Sequence, residues 1–179
     1  MGAPGPNAKT VKPLFPSDAF ATNKEGNISM IESTAPSAST KSTARTKYDS
    51  YYLDLAERAG QNSVDPVFQV GCIIVNNNQI IADGWNGTPT GYKTNETRDE
   101  NGETLYCTVH AESNALAKCA RYGHSCDGGT MYINIGPCPD CAKFIVQAGI
   151  ERVVYARPYR SDTGPELLRE MGVTVCKMP

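Results

Sequence analysis

Beyond Tyr48 the apolar residues switch repeatedly between helical and strand spacing, and this alternation limits the folds open to the chain more than any other feature. Tyr51, Tyr52, Leu55, Ala56 and Ala59 recur at helical spacing, with Gly60 as a stop. Asp65-Pro66 marks a turn, and the β-branched run Val67–Val75 predicts a buried strand. Asn76-Asn77-Asn78 predicts a hairpin turn into a second strand, Gln79–Asp83. A long polar loop containing Gly84, Gly87, Gly91 and Gly102 then reaches to about Tyr106. The remaining pattern predicts helix 110–121, strand 130–135, helix 139–148, strand 152–156, helix 164–171 and strand 173–176. One hairpin followed by alternating strands and helices is the signature of an α/β sandwich with a mostly parallel sheet.

Residues 1–46 have a different character. Five prolines and a Ser/Thr-rich run from Ser33 to Thr46 break any periodicity there, and Phe15 and Phe20 are the main apolar anchors. That composition predicts a low-complexity arm, linker or leader ahead of a single domain spanning 47–179. No window of the chain offers the ~18 consecutive apolar residues of a membrane span. A net charge of −2 over 179 residues argues against broad binding to nucleic acid or membrane surfaces. The seven cysteines, an odd number, cannot all pair with one another within the chain. They favour a reducing, cytoplasmic setting in which thiols bind metal or do chemistry.

The chemistry concentrates in two short stretches, His110-Ala111-Glu112 and Pro137-Cys138-Pro139-Asp140-Cys141, each at the start of a predicted helix. The Cys-x-x-Cys spacing brings both sulfurs to one side of a helical turn, where the helix dipole favours thiolate. One His and two Cys supply three tetrahedral zinc ligands and leave a fourth position for water, the arrangement of catalytic zinc. Glu112 lies close enough to exchange protons with such a water without itself binding the metal. His-x-Glu followed by Pro-Cys-x-x-Cys is the known signature of zinc nucleobase deaminases.

The likeness extends further. Val109–Leu116, Met131-Tyr132-Ile133, Pro137–Lys143 and Gln147-Ala148-Gly149-Ile150 strongly resemble the deoxycytidylate (dCMP) deaminases. So does Gly84-Trp85-Asn86-Gly87-Thr88-Pro89-Thr90-Gly91, which is similar to that family's G-Y-N-G-x-P-x-G loop with Trp85 in place of Tyr. The resemblance implies a three-layer α/β/α cytidine-deaminase-like sandwich around a five-stranded mixed, mostly parallel sheet. It also implies hydrolysis of dCMP to dUMP and ammonia, supplying dUMP for thymidylate synthesis, by a zinc-bound hydroxide with Glu112 as proton shuttle. His110, Cys138 and Cys141 then hold the zinc, the Ala111 backbone holds the base edge and Asn86 the sugar. Apart from the resemblance, Tyr159 and Arg160 follow strand 152–156 at the same sheet edge, with Arg157 close by, and read either as a loop that closes over the nucleotide and its phosphate or as an exposed charged loop; Arg98 is a second phosphate candidate. The resemblance further implies that Gly84, Trp85, Asn86 and Gly87 help form a regulatory site, activated by dCTP and inhibited by dTTP with Mg2+, in a homohexamer.

Some family members carry a second zinc, but Ser63–Pro66 and Gly91–Thr94 hold no cysteine, so one zinc per chain is expected. Cys72, Cys119, Cys176 and Cys107 are expected to pack, and His124-Ser125-Cys126 to form a surface turn. The competing functions are deamination of dCTP, or of nucleic acid (tRNA adenosine or single-stranded DNA). The latter needs an extended basic channel that the charge balance does not supply.

Overall fold

The computed structural model describes residues 46–179 and, ahead of them, the backbone of two short strands, β1 (Phe20–Thr22) and β2 (Ile28–Met30). The chain divides into two units, residues 1–41 and 42–179. In the first, β1 and β2 form an antiparallel ladder pairing Phe20 with Met30, which the composition did not foretell. The proposed anchor Phe15 and the side chain of Phe20 lie outside the described residues.

The second unit comprises α1 (Asp49–Gly60), β3 (Gly71–Asn76), β4 (Gln79–Trp85), α2 (Ala111–Tyr122), β5 (Thr130–Ile135), α3 (Pro139–Gln147), β6 (Arg152–Arg157), α4 (Thr163–Glu170) and β7 (Thr174–Lys177). Its sheet has the order β4-β3-β5-β6-β7. β3 runs antiparallel to both of its neighbours, whereas β5, β6 and β7 pair in parallel. Four strands therefore point one way and β3 points back, which gives the expected mixed sheet. The β3–β4 connection is the expected hairpin, with Asn77 and Asn78 at φ 49° and 60°, as a tight turn between twisted strands requires.

Side chains alternate across each strand, so the apolar runs serve both faces. Cys72, Ile74, Met131, Ile133, Val153 and Tyr155 meet α2, α3 and α4 through Ala115, Cys119, Ala142, Ile145 and Leu168. Ile73, Val75, Tyr132, Val154 and Cys176 meet Leu53, Ala56 and Ala59 of α1. The result is the three-layer sandwich. Cys126 joins the first core instead of lying at the surface of its turn, while Cys107 is half-buried.

Two boundaries differ instructively from expectation. The predicted strand at Val67 begins only at Gly71, because the preceding backbone donors are claimed by side chains. The N–H groups of Val67 and Phe68 donate to Asp65 Oδ1, that of Val70 to Asn86 Oδ1 and that of Gly71 to Asn134 Oδ1. On α1 the buried stripe runs through Asp49, Leu53 and Ala56, leaving Tyr51 exposed. Asp49 sets that rotation. It accepts hydrogen bonds from Arg152 at 2.7 and 2.9 Å, from Tyr132 Oη at 3.1 Å and from the Thr46 N–H and hydroxyl at 2.9 and 2.7 Å.

Candidate active site

The C-terminal ends of β4, β5 and β6 share one edge of the sheet, the edge at which open α/β folds place their sites. β5 leads through Gly136-Pro137 to Cys138, the N-cap of α3, and Pro139 occupies the first turn with φ already suited to a helix. β4 leads into the long loop, whose ends are pinned together by two hydrogen bonds between Gly87 and Val109 (3.1 and 2.8 Å). That bridge delivers His110, the extended N-cap residue of α2, beside Cys138 although β3 separates the two parent strands. Gly164, at the start of α4, approaches the Pro137 carbonyl so closely that a Cβ would lie 2.1 Å from it, so only glycine lets α4 back the Cys138 turn.

His110 Nδ1 lies 3.5 Å from Cys138 Sγ and 3.4 Å from Cys141 Sγ, and the three donor atoms fall within 4.8 Å of one another. Tetrahedral ligands on zinc, with Zn–N and Zn–S bonds of ~2.0 and ~2.3 Å, stand about 3.6 Å apart. The triangle therefore fits a single zinc ion in both spacing and donor chemistry. Cys138 Sγ accepts a hydrogen bond from the Cys141 N–H, and the Ser113 hydroxyl lies 3.8 Å from Cys141 Sγ. Hydrogen bonds from Cys141 and His110 outweigh burial and lower the Cys138 pKa to about 4, so this sulfur is a thiolate at neutral pH. The hydrogen bond with Cys138 raises the His110 pKa against its partial burial.

Glu112 is 4% exposed, and burial raises its pKa to about 6 despite its backbone hydrogen bond and the nearby His110. A carboxyl group poised near neutrality beside a metal triangle is suited to carry protons in both directions. A pocket opens over it. His110, Ala111, Glu112 and Cys138 form one end; Asn86, Phe68, Arg98, Tyr159 and Arg160 line the remainder. The structure thus gathers the sequence-derived candidates for metal, proton and substrate contacts around one cavity. Asp65, Phe68, Thr104, Thr108 and Ile135 also line it without having been singled out. The Asp-Pro pair at 65–66 was the sole local sign among them, and it pointed to a turn.

The Gly84–Gly87 stretch divides. Gly84 belongs to β4, which runs two residues beyond the predicted strand end, and is buried where a Cβ would lie 2.2 Å from the Ala111 carbonyl. Trp85 is half-buried under the Lys118 ammonium, 4.5 Å from its ring centroid. Asn86 spends one amide hydrogen on the Phe68 carbonyl (2.8 Å) and one oxygen lone pair on the Val70 N–H (2.9 Å). One donor and one acceptor site of that amide remain for a ligand. Asp65 bonds to Arg98 at 3.0 Å, joining the loop before β3 to the long loop.

A family model for the cytidine and deoxycytidylate deaminase zinc-binding region matches residues 46–157. ComE operon protein 2 of Bacillus subtilis is 35% identical over 136 residues, covering 73% of this chain and 71% of that protein. The human deoxycytidylate deaminase is 36% identical over 143 residues, covering 73% and 79%. Among solved structures, the dCMP deaminase of cyanophage S-TIM5 in complex with dCMP and dUMP is 41% identical with a TM-score of 0.73. It covers 75% of this chain and 99% of its own.

Proposed function

Since the chain belongs to the cytidine and deoxycytidylate deaminase family, we propose that it hydrolyses dCMP to dUMP and ammonia. The observation that carries this reading is the His110–Cys138–Cys141 triangle beside the buried Glu112. The likeness to a phage enzyme solved with dCMP and dUMP supports the choice of nucleotide.

His110 Nδ1 and the sulfurs of Cys138 and Cys141 would hold the zinc, one ion per chain in this reading. Zinc bound there would supply an acidified water, with a pKa lowered toward ~7. Glu112 accepts a proton from the attacking water and delivers it to N3 of cytosine as the oxygen bonds to C4. It then carries the second water proton to the amino group, the C4–N bond breaks, and ammonia leaves the uracil ring. Burial of Glu112 keeps bulk water from competing for these protons. The Ala111 backbone holds the base edge, the free half of the Asn86 amide binds the sugar, and Tyr159 and Arg160 receive the phosphate.

In this reading residues 47–179 are the catalytic unit and 1–46 an arm outside the chemistry, and the product dUMP feeds thymidylate synthesis. Regulation by dCTP and dTTP with Mg2+ in a homohexamer belongs to the same proposal. The half-buried Trp85 ring supports it, and Gly84, buried beneath α2, serves there only as framework. The decisive test incubates the zinc-loaded full chain with dCMP, dCTP and an RNA stem-loop while ammonia release is measured. Release with dCMP at the highest rate is expected; release from RNA alone overturns the reading.

A further inference from the structure

Phe68 stands in the loop between α1 and β3 and lines the pocket above Glu112. Its ring carries two guanidinium groups, Arg98 at 5.5 Å and Arg160 at 5.4 Å from the centroid, both within cation–π range. The two arginines are otherwise unlike. Arg98 is 9% exposed; its Nε meets Asp65 at 3.0 Å and its Nη1 donates to the Gly102 carbonyl at 2.8 Å. Its charge is already met by a carboxylate. Arg160 follows β6, is exposed, and has no carboxylate partner among the described residues.

The same Asp65 oxygen that holds Arg98 accepts the backbone N–H groups of Val67 and Phe68, each at 2.8 Å. Carboxylate, guanidinium and ring are therefore linked: Asp65 holds the Phe68 backbone and Arg98, Arg98 lies over the ring, and Arg160 rests on the same ring. A long arginine left alone on a loop samples many rotamers, and ordering it on binding lowers affinity. One resting on a fixed aromatic face is already restricted.

We infer that Phe68 is a positioning residue for phosphate recognition: its ring, fixed through Asp65 and Arg98, holds the Arg160 guanidinium at the pocket mouth for the dianionic 5′-phosphate of the substrate. The inference rests on the reading that the pocket takes a nucleoside monophosphate. It assigns the two candidate arginines separate duties. Arg98 is internal structure and Arg160 is the anion contact.

The test compares kcat and KM for dCMP and deoxycytidine in the wild type, Phe68→Leu, Phe68→Tyr, Arg160→Ala and the Phe68→Leu/Arg160→Ala double variant. Phe68→Leu keeps an apolar side chain but removes the ring. It is expected to raise KM for dCMP about tenfold more than KM for deoxycytidine, with kcat for dCMP within about twofold of wild type. Phe68→Tyr keeps the ring and is expected to retain the wild-type ratio. In the Arg160→Ala background the Leu change is expected to leave the ratio where Arg160→Ala alone puts it, because the group it positions is gone. An equal rise in KM for both substrates, loss of the ratio in Phe68→Tyr, or a full additional effect without Arg160 each overturns the assignment. A wild type that does not distinguish dCMP from deoxycytidine overturns the underlying monophosphate reading instead, a result visible before any variant is measured.

Discussion

Asp49 and Glu112 are carboxylates buried to 0% and 4% exposure on opposite faces of one sheet, and their surroundings drive them in opposite directions. Burial alone pushes both pKa values up. At Asp49, hydrogen bonds from Arg152 and Thr46 more than offset that penalty and hold the group well below the ordinary carboxylate range. At Glu112 the offsetting interactions are fewer, burial dominates, and the value rises to about 6. One fold thus contains a carboxylate locked in its charged form to join elements and another kept able to change charge. Two things separate them: the number of donors aimed at the oxygens, and the deeper desolvation that Glu112 meets.

The largest effect that tests this contrast is on turnover. Glu112→Gln preserves shape but cannot carry a proton, and should lower kcat by ~10²–10⁴-fold or more while one zinc per chain is retained by atomic absorption. Thermal stability should hold or rise, because a desolvated charge is removed. A fall in Tm like that of an Asp49 variant would assign Glu112 to structure and erase the contrast.

The next effect is on stability. Asp49→Ala strands the Arg152 guanidinium, whose side chain is 13% exposed, and loss of one partner from a buried pair costs ~3–5 kcal/mol. Urea unfolding should report that loss, with kcat per folded molecule changed little, since the pair lies on the α1 side of the sheet. Replacing both partners, Asp49→Leu with Arg152→Met, should cost less than Asp49→Ala alone.

The contrast also has a pH signature. Because the folded-state pKa of Asp49 is depressed, its stabilisation is complete above the unfolded value of ~3.9 and disappears as pH falls through the folded value. Wild-type stability should therefore decline as the solution is acidified below about pH 4, and Asp49→Asn should remove part of that decline. An Asp49→Asn profile parallel to wild type from neutrality to pH 2 would break the assignment.

The elements that were legible in the sequence are those whose cause is local. His-x-Glu and Cys-x-x-Cys sit at helix starts by spacing alone, and short continuous apolar runs mark β5 and β6 because both faces of those strands are covered. Asp49 was not legible, because its chief partner Arg152 stands 103 residues away and nothing near Asp49 announces it. Asp65 resembled an ordinary turn residue, since its hold on Arg98 spans a loop whose folding no periodicity describes. Phe68 was read as the second residue of a strand because its β-branched and aromatic neighbours say so. The strand starts late because Asp65 takes the N–H groups of Val67 and Phe68 and the distant Asn86 takes that of Val70, which leaves Phe68 in a loop at the pocket.

The smallest test separates the donors that hold Asp49. Tyr132→Phe removes one hydroxyl, 3.1 Å from Asp49 Oδ1, and leaves the Arg152 and Thr46 contacts in place. A single hydrogen bond to a carboxylate contributes ~1.5–3 kcal/mol, and this one is among the longest of five on its acceptor, so a loss of about 1 kcal/mol is expected. Activity should not change. A loss as large as that of Asp49→Ala would mean that Tyr132, rather than Arg152, keeps the carboxylate ionised. The contrast with Glu112 would then turn on one hydroxyl instead of on a full set of donors.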